Sequence, residues 1–472
     1  MTTQLKARFC PSPTGLVHLG NVRTALFNAL LAYGHKGIFL LRIEDTDKER
    51  SKPEFTELLM EDLRWLGLQW QEGPEHEMGH GPYWQSQRQP IYDRYYGQLE
   101  AQGIAYPCFC SEQQLALARK LQRAAGKPPR YPGTCRNLTK EQVDEKIAKG
   151  LTPVLRFAVP LNQTIVFTDL VRGEQRFQSN DLGDFIIRRT DGTSPFMFCN
   201  AIDDALMGVT HALRGEDHLT NTPRQIMILE ALKLTIPHYG HINLIVGSDG
   251  APLSKRHGSR SVQELKQEGF LPIAVVNYLA RLGHYYQDES FMSFAELSQK
   301  FAVENLGRAP ARYDANQLLY WQKEAINRLD DEGLWQWMGP SVHALVPVSA
   351  RHHFMSAIKT NICFPVDAEH WAKIFFADEL SINQEHQTLL QQATSKFFEV
   401  AADAVRQNGA DFAAVSSALK EQLAVTGKAL FQPLRVALTG ELHGPEMVKI
   451  FTLLGAEKIQ KRLRACCKST TH

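Results

Sequence analysis

Residues 8–51 read RFCPSPTGLVHLGNVRTALFNALLAYGHKGIFLLRIEDTDKERS, and the order of its pieces decides the fold. Residues 5–9 form a short strand-like run. A loop with Pro11, Ser12, Pro13, Thr14 and Gly15 follows, then His18-Leu19-Gly20-Asn21. From there Val22, Ala25, Leu26, Ala29, Leu30 and Tyr33 fall at the spacing of one face of an amphipathic helix, with Gly34 placed to end it. The apolar run 38–43 reads as a buried strand delivering Glu44, Asp45 and Asp47 at its carboxyl end. Strand, helix and strand make a βαβ unit, whose ligands bind beyond the carboxyl ends of the strands.

The chemistry of this layout follows from its residue types. The loop brings backbone N–H groups and a helix N-terminus to one spot, which favours an anion by about 0.3–1 kcal/mol. The prolines stiffen the loop, while Gly15 and Gly20 let a ligand lie against the backbone. His18 adds a donor, Arg8 a fork for a carboxylate or phosphate, and Glu44 an anion for an ammonium group. A nucleotide together with an amino acid satisfies all three.

PSPTGLVHLGN resembles the HIGH signature of class I aminoacyl-tRNA synthetases, and RIEDTD at this distance resembles the glutamate-binding strand end of the bacterial-type glutamyl branch. Asn21 stands where the generic signature has its second histidine. The resemblance continues through nearly the whole chain. GSDGAPLSKRHGS, with Leu253, Ser254, Lys255 and Arg256, resembles the second class I signature, KMSKS. Pro252 replaces its first lysine, and Lys255 remains to reach the triphosphate. SPFMFCNAIDDALMGVTHALRGEDH resembles the family's amino-acid contacts through Asn200 and Arg214, with Glu216 and Asp217 beside the nucleotide. Phe196 stands where the family usually has tyrosine, so the ring is kept and the hydroxyl lost.

The resemblance implies an α/β fold: a Rossmann-type parallel-sheet catalytic domain, an inserted acceptor-binding lobe and an all-α anticodon-binding domain. The expected segments are 1–102 and 193–248 for the two catalytic halves and 103–192 for the lobe. Residues 249–326 form the loop and stem-contact region, and 327–472 the helical domain. The activity implied is ATP-dependent conversion of L-glutamate to glutamyl-adenylate, with Mg2+, and transfer to tRNA(Glu). Transfer to tRNA(Gln) depends on whether one anticodon base is admitted. ATP falls to Pro11, Thr14, His18, Gly20, Asn21, Glu216, Asp217, Leu253, Ser254, Lys255 and Arg256, with His18 and Lys255 catalytic. Glutamate falls to Arg8, Ser12, Glu44, Phe196, Asn200 and Arg214. The two arginines take its two carboxylates jointly, because a charge-assisted hydrogen bond, worth about 1.5–3 kcal/mol, separates glutamate from the nearly isosteric glutamine.

Within the lobe, Cys108 and Cys110 form a CxC pair, and Cys135 follows. Three thiolates and one further donor suit tetrahedral Zn2+. Relatives with this spacing use Tyr131's position as the fourth ligand, and others a histidine where this chain has Asn137. Two rival readings are a queuosine-glutamylating relative, which lacks the long helical C-terminal part, and a non-catalytic tRNA-binding paralogue, which is expected to lose signature residues.

The gross numbers are compatible with this. At about 150 residues per domain, 472 residues suggest three. A net charge of +1 offers no global field for nucleic acid, so any such surface is a local patch. No apolar run nears the ~20 residues needed to span a bilayer, the N-terminus lacks a signal-peptide core, and eight cysteines in so long a chain form no disulfide scaffold. A monomer in a reducing cytoplasm is expected, with helical segments at 334–337, 374–380, 388–400 and 412–423.

Overall fold

The computed structural model describes residues 4–47, 49–253 and 260–469. It divides into two compact units, Met1–Glu264 with Val275–Ala315, and Leu265–Ala274 with Asn316–His472.

The first unit opens with β1 (Lys6–Phe9), α1 (Leu19–Gly34) and β2 (Ile38–Leu41), followed by α2 (Pro53–Trp65) and α3 (Gln89–Ala101). Then come β3 (Ala105–Cys108), α4 (Glu112–Ala124), α5 (Lys140–Ala148), β4 (Val154–Phe157), β5 (Thr164–Asp169) and β6 (Gly173–Gln178). The chain goes on through α6 (Ser179–Leu182), β7 (Phe185–Arg188), α7 (Phe196–Leu206), β8 (His211–Gly215), α8 (Thr222–Ala231), β9 (His238–Ile242) and β10 (Ile245–Val246). The central sheet is parallel throughout, in the order β2-β1-β8-β9. The strand order reverses at β1: its sequence successor β2 lies on one side and β8 on the other. The β1–β8 seam registers only Ala7 against His211, whereas β1 pairs with β2 over four residues and β8 with β9 over five. A backbone bond from Thr210 N to Lys6 O at 2.9 Å and several side chains complete the seam. Thr210 Oγ1 accepts from Lys6 N at 2.8 Å, and Leu213 O accepts from Arg8 Nη1 at 3.2 Å and Asn28 Nδ2 at 2.9 Å.

α1 is buried on more than the expected stripe, since Phe27, Asn28 and Leu31 are inside as well. The helix Phe294–Lys300 covers its other side, with Phe27 5.4 Å from Phe301 between ring centroids and Tyr33 5.7 Å from Phe294. Gly34 is the last residue of the helix, as expected, and His35 caps it. Glycine is needed because a Cβ there would come 2.3 Å from Ser298 O. Lys52 is the N-cap of α2 and Pro53 opens its first turn, where a missing N–H costs nothing.

Residues 105–188 hold a three-stranded antiparallel sheet, β3-β4-β7, and the hairpin β5–β6. β6 was not anticipated, because GEQRFQ is polar and its residues alternate between half-buried and exposed. The region 262–320 is helical only in pieces: Gly269 (φ +91°) and Gly283 (φ +98°) interrupt it.

The second unit contains the helices from Ala315–Arg328 through Met447–Ser469. The segment expected at 388–400 is two helices, Gln384–Gln392 and Ser395–Asn408, because Ala393 and Thr394 take extended backbone. The one expected at 374–380 is the end of Pro365–Phe376. Phe412–Leu423 has the expected ends. Phe398, fully buried, sits in the core shared by Ser395–Asn408 and Met447–Ser469. Phe398→Ala is expected to destabilise this unit by about 3–5 kcal/mol, read as a lower urea midpoint by circular dichroism.

Candidate active site

At the carboxyl ends of β1 and β8, where the strand order reverses, lies a cavity of about 480 Å³. Such a crevice is where open parallel sheets bind ligands. Of the expected residues, Arg8, Pro11, Ser12, Thr14, Gly20, Asn21, Glu44, Phe196, Asn200, Arg214 and Asp217 line it. β1 brings Arg8, the loop and the start of α1 bring the next five, and the stretch after β2 brings Glu44. α7 brings Phe196 and Asn200, and β8 Arg214. A Cβ on Gly20 would meet no protein atom within 4 Å. Protein packing therefore makes no demand for glycine there, and the space above its backbone is open.

Four buried arginines, Arg8, Arg42, Arg88 and Arg214, face three buried carboxylates, Glu44, Asp203 and Asp204. Asp204 takes Arg8 Nε and Nη2 at 3.2 Å each and Arg42 Nη1 at 2.8 Å. Asp203 takes Arg88 Nε at 2.7 Å, Tyr92 Oη at 2.7 Å and Gln85 Nε2 at 3.0 Å. Glu44 Oε1 accepts from Asn200 at 2.7 Å, Arg42 at 3.0 Å and Gln85 at 3.4 Å. Its Oε2 has no partner among the described residues. Burial raises the Glu44 carboxyl above its ordinary value, with Arg42 and Asn200 opposing.

Arg214 differs from the other three, since no carboxylate pairs with it among the described residues. Its Nε donates to His241 Nε2 at 3.1 Å and its Nη2 to Thr222 Oγ1 at 2.7 Å. Nη1 is buried without a partner. The guanidinium lies 4.7 Å from the Tyr239 ring centroid. Burial pushes its pKa down to about 10, leaving it charged at neutral pH. A buried, unneutralised cation on a cavity wall demands an anion, because an uncompensated buried charge is costly.

His18 caps the start of α1 and pairs as an isolated bridge with Ser261. Its Nδ1 is buried without a partner, and the side chain stands outside the cavity lining. Glu216 is also outside the lining: its oxygens accept from Arg172 and, at 2.9 Å, from Leu244 N. Leu253 N bonds Ile245 O at 2.9 Å, and Val262 N bonds Val17 O at 3.1 Å. The residues flanking the second signature are therefore anchored beside the first, while Ser254, Lys255 and Arg256 lie outside the described residues. Phe196 packs on His218 with ring centroids 4.9 Å apart.

Away from this cavity, Cys108, Cys110 and Cys135 bring their Sγ atoms within 4.8 Å of one another. Cys110 and Cys135 Sγ are 3.7 Å apart, too far for a disulfide and close to the ~3.8 Å expected of two thiolates at about 2.3 Å on a tetrahedral ion. Tyr131 Oη is 3.3 Å from Cys108 Sγ and 3.7 Å from Cys110 Sγ. Asn137 is exposed.

The sequence reading missed Arg42, Asp203, Asp204, Arg88 and Tyr92. The signal was present: Arg42 interrupts an apolar strand run, and Asn200, Asp203 and Asp204 share one face of α7 at i, i+3 and i+4. Charges on an otherwise apolar face are costly to bury unless paired.

A parallel-sheet nucleotide-type crevice with an anion-seeking arginine, followed by an all-helical part, defines a class before any comparison. The model of class I tRNA synthetases (E and Q), catalytic domain, matches residues 4–320, and an anticodon binding domain model matches 294–467. The chain belongs to the class I tRNA synthetase family of the E and Q branch. It is 57% identical over 464 residues to glutamate–tRNA ligase 2 of Coxiella burnetii, covering 98% of this chain and 100% of that protein. Identity to glutamate–tRNA ligase 2 of Nitrosococcus oceani is 55%, covering 98% of each. The crystal structure of a glutamate–tRNA synthetase from Elizabethkingia anophelis superposes with a TM-score of 0.88 at 28% identity, covering 98% of this chain and 100% of that one.

The Asp204 carboxyl makes a pH-dependent contribution to stability. Burial works to raise it, but Arg8 and Arg42 outweigh burial and hold it below its ordinary 3.8. Its contribution is therefore complete above the unfolded-state value and is lost as pH falls through the lower folded value. Asp204→Asn is expected to cost about 3–5 kcal/mol at pH 7 by leaving the buried Arg8 without a carboxylate and Arg42 with Glu44 and Asp203 alone. In denaturant titrations, the gap to the wild type should narrow below about pH 4.

Proposed function

We propose that the chain is a glutamate–tRNA ligase. It activates L-glutamate with ATP to glutamyl-adenylate and pyrophosphate, then passes the glutamyl group to the 3′-terminal ribose of tRNA. The observation that carries this reading is Arg214, charged, buried and without a carboxylate partner among the described residues, on a cavity shared with the half-free carboxylate of Glu44. An acidic amino acid supplies what both lack. Arg214 takes one substrate carboxylate, Arg8 and Asn200 contribute to the second, and Glu44 Oε2 receives the ammonium. Arg8 acts with its fork already committed to Asp204, so it orients more than it neutralises.

ATP lies over Pro11, Thr14, Gly20 and Asn21, with its phosphates toward the start of α1 and His18, while Ser12 and Phe196 border the glutamate. Asp217 borders the nucleotide end. Glu216, tied to Arg172 and Leu244, shapes the wall. The family uses ATP with magnesium, and no protein nucleophile is required. The glutamate α-carboxylate attacks the α-phosphorus, pyrophosphate leaves, and the acyl carbon is then attacked by the ribose hydroxyl as AMP departs. Lys255 meets the charge that develops on the departing pyrophosphate, with Leu253, Ser254 and Arg256 in the same segment. Rate enhancement comes from positioning and charge stabilisation.

In this reading residues 1–102 and 193–248 form the catalytic domain, 103–192 the lobe that grips the acceptor end, and 249–326 the loop and stem contacts. Residues 327–472 read the anticodon. Cys108, Cys110, Cys135 and Tyr131 hold a structural zinc that fastens the lobe. The enzyme acts as a monomer in the cytoplasm.

The test is glutamate-dependent exchange of pyrophosphate into ATP in the presence of tRNA. The wild type is expected to catalyse it, and Lys255→Ala to slow it about 10²-fold or more with glutamate affinity within about twofold. Absence of exchange in the wild type would leave a binding module. For the lobe, elemental analysis is expected to find about one zinc per chain and almost none after Cys135→Ser.

A further inference from the structure

Behind Arg214 stands a chain of buried groups that the reaction itself does not use. Asp169, His241 and Thr222 are almost wholly excluded from solvent. Asp169 closes β5, a strand of the segment read as the acceptor lobe, while His241 is on β9 of the central sheet. Asp169 Oδ2 is 2.5 Å from His241 Nδ1. Asp169 Oδ1 accepts three backbone N–H groups: Arg172 at 2.8 Å, Val171 at 2.9 Å and His241 at 3.2 Å. The turn after β5 is fixed at neighbouring points too. Leu170 N bonds Tyr239 O at 2.9 Å, Arg172 pairs with Glu216, and Arg308 Nε bonds Val171 O at 2.9 Å.

Two groups meet His241 Nε2: the Arg214 Nε–H at 3.1 Å and the Thr222 hydroxyl at 3.0 Å, whose oxygen already accepts from Arg214 Nη2 at 2.7 Å and whose proton can go to Nε2. Arg214 Nε carries a single hydrogen and donates it to His241 Nε2, so that nitrogen must offer a lone pair. The imidazole proton is therefore on Nδ1 and is donated to Asp169. We propose that Asp169 and His241 are positioning residues for the amino-acid pocket. Asp169 fixes the imidazole as the Nδ1–H tautomer, and the Nε2 lone pair, together with the Thr222 hydroxyl, fixes the rotation of the Arg214 fork. This arrangement ties a strand of the lobe to the pocket wall, so the seating of the β5–β6 hairpin sets how Arg214 meets a carboxylate. The inference rests on the reading that Arg214 holds a carboxylate of glutamate.

Asp169→Asn isolates the tautomer. Three backbone N–H groups require an oxygen at the Oδ1 site, so the new amide nitrogen must face His241 Nδ1. The imidazole then carries its proton on Nε2, where it points at the Arg214 Nε–H. In tRNA-dependent pyrophosphate exchange by the full chain, the glutamate KM is expected to rise about tenfold, with the ATP KM within about twofold. In spectra of chain labelled with 15N-histidine, the His241 signal should change from the Nδ1–H to the Nε2–H pattern. That signal is identified by its absence in His241→Gln. An unchanged glutamate KM, or an equal rise in both KM values, overturns the proposal. So does an Nε2–H tautomer in the wild type, a measurement that stands even if Asp169→Asn does not fold. Wild-type exchange with glutamate tests the underlying function separately, so failure of the relay and failure of the function give different results.

Discussion

The site is organised by one shared carboxylate. Asp204 binds Arg8 from β1 and Arg42 from just beyond β2, and so fixes two guanidinium groups that would otherwise repel each other in a buried place. Everything nearer the cavity hangs from that arrangement. Arg42 holds Glu44, Glu44 accepts from Asn200, and Asn200 accepts from Gln225 on α8. Buried charges of this kind contribute little net stability compared with an apolar core, but removing one partner is expensive. Their effect is to hold side chains at fixed positions, which is what catalysis by positioning requires.

In the reading proposed above, the contrast between Arg8 and Arg214 is what selects glutamate over glutamine. One guanidinium is already neutralised and the other is not, so the pocket holds an excess of positive charge in a low-dielectric place. Glutamine, lacking the charge, leaves that excess in place. Glutamate removes it. A difference of shape alone is worth far less for two nearly isosteric side chains.

The sheet and its first helix were legible because their apolar spacing is regular and the βαβ order leaves few topologies. The helical C-terminal part was legible as a class, though not at the break around Ala393 and Thr394, where neither residue is a strong helix breaker. β6 escaped because a hairpin solvated on one face carries little apolar signal. Gly34 ends its helix as its place in the pattern implied, but the second constraint on it, Ser298, is distant in sequence and left no local trace. Among site residues, those in the loop and at the strand ends could be found from their neighbours in sequence. Asp203 and Asp204 could not be given roles, because their partners are on other elements more than a hundred residues away.

The seam between β1 and β8 has a mechanical meaning. The ladder there is short, with one registered pair, Ala7 and His211, a backbone bond from Thr210 N to Lys6 O, and side-chain bonds beyond them. The cavity opens over its carboxyl end. A molecule lodged there bridges the Arg8 side to the Arg214 side, and acts as a brace across the joint. A ligand held by both arginines, as in the reading proposed above, would tie the two strands together at that end.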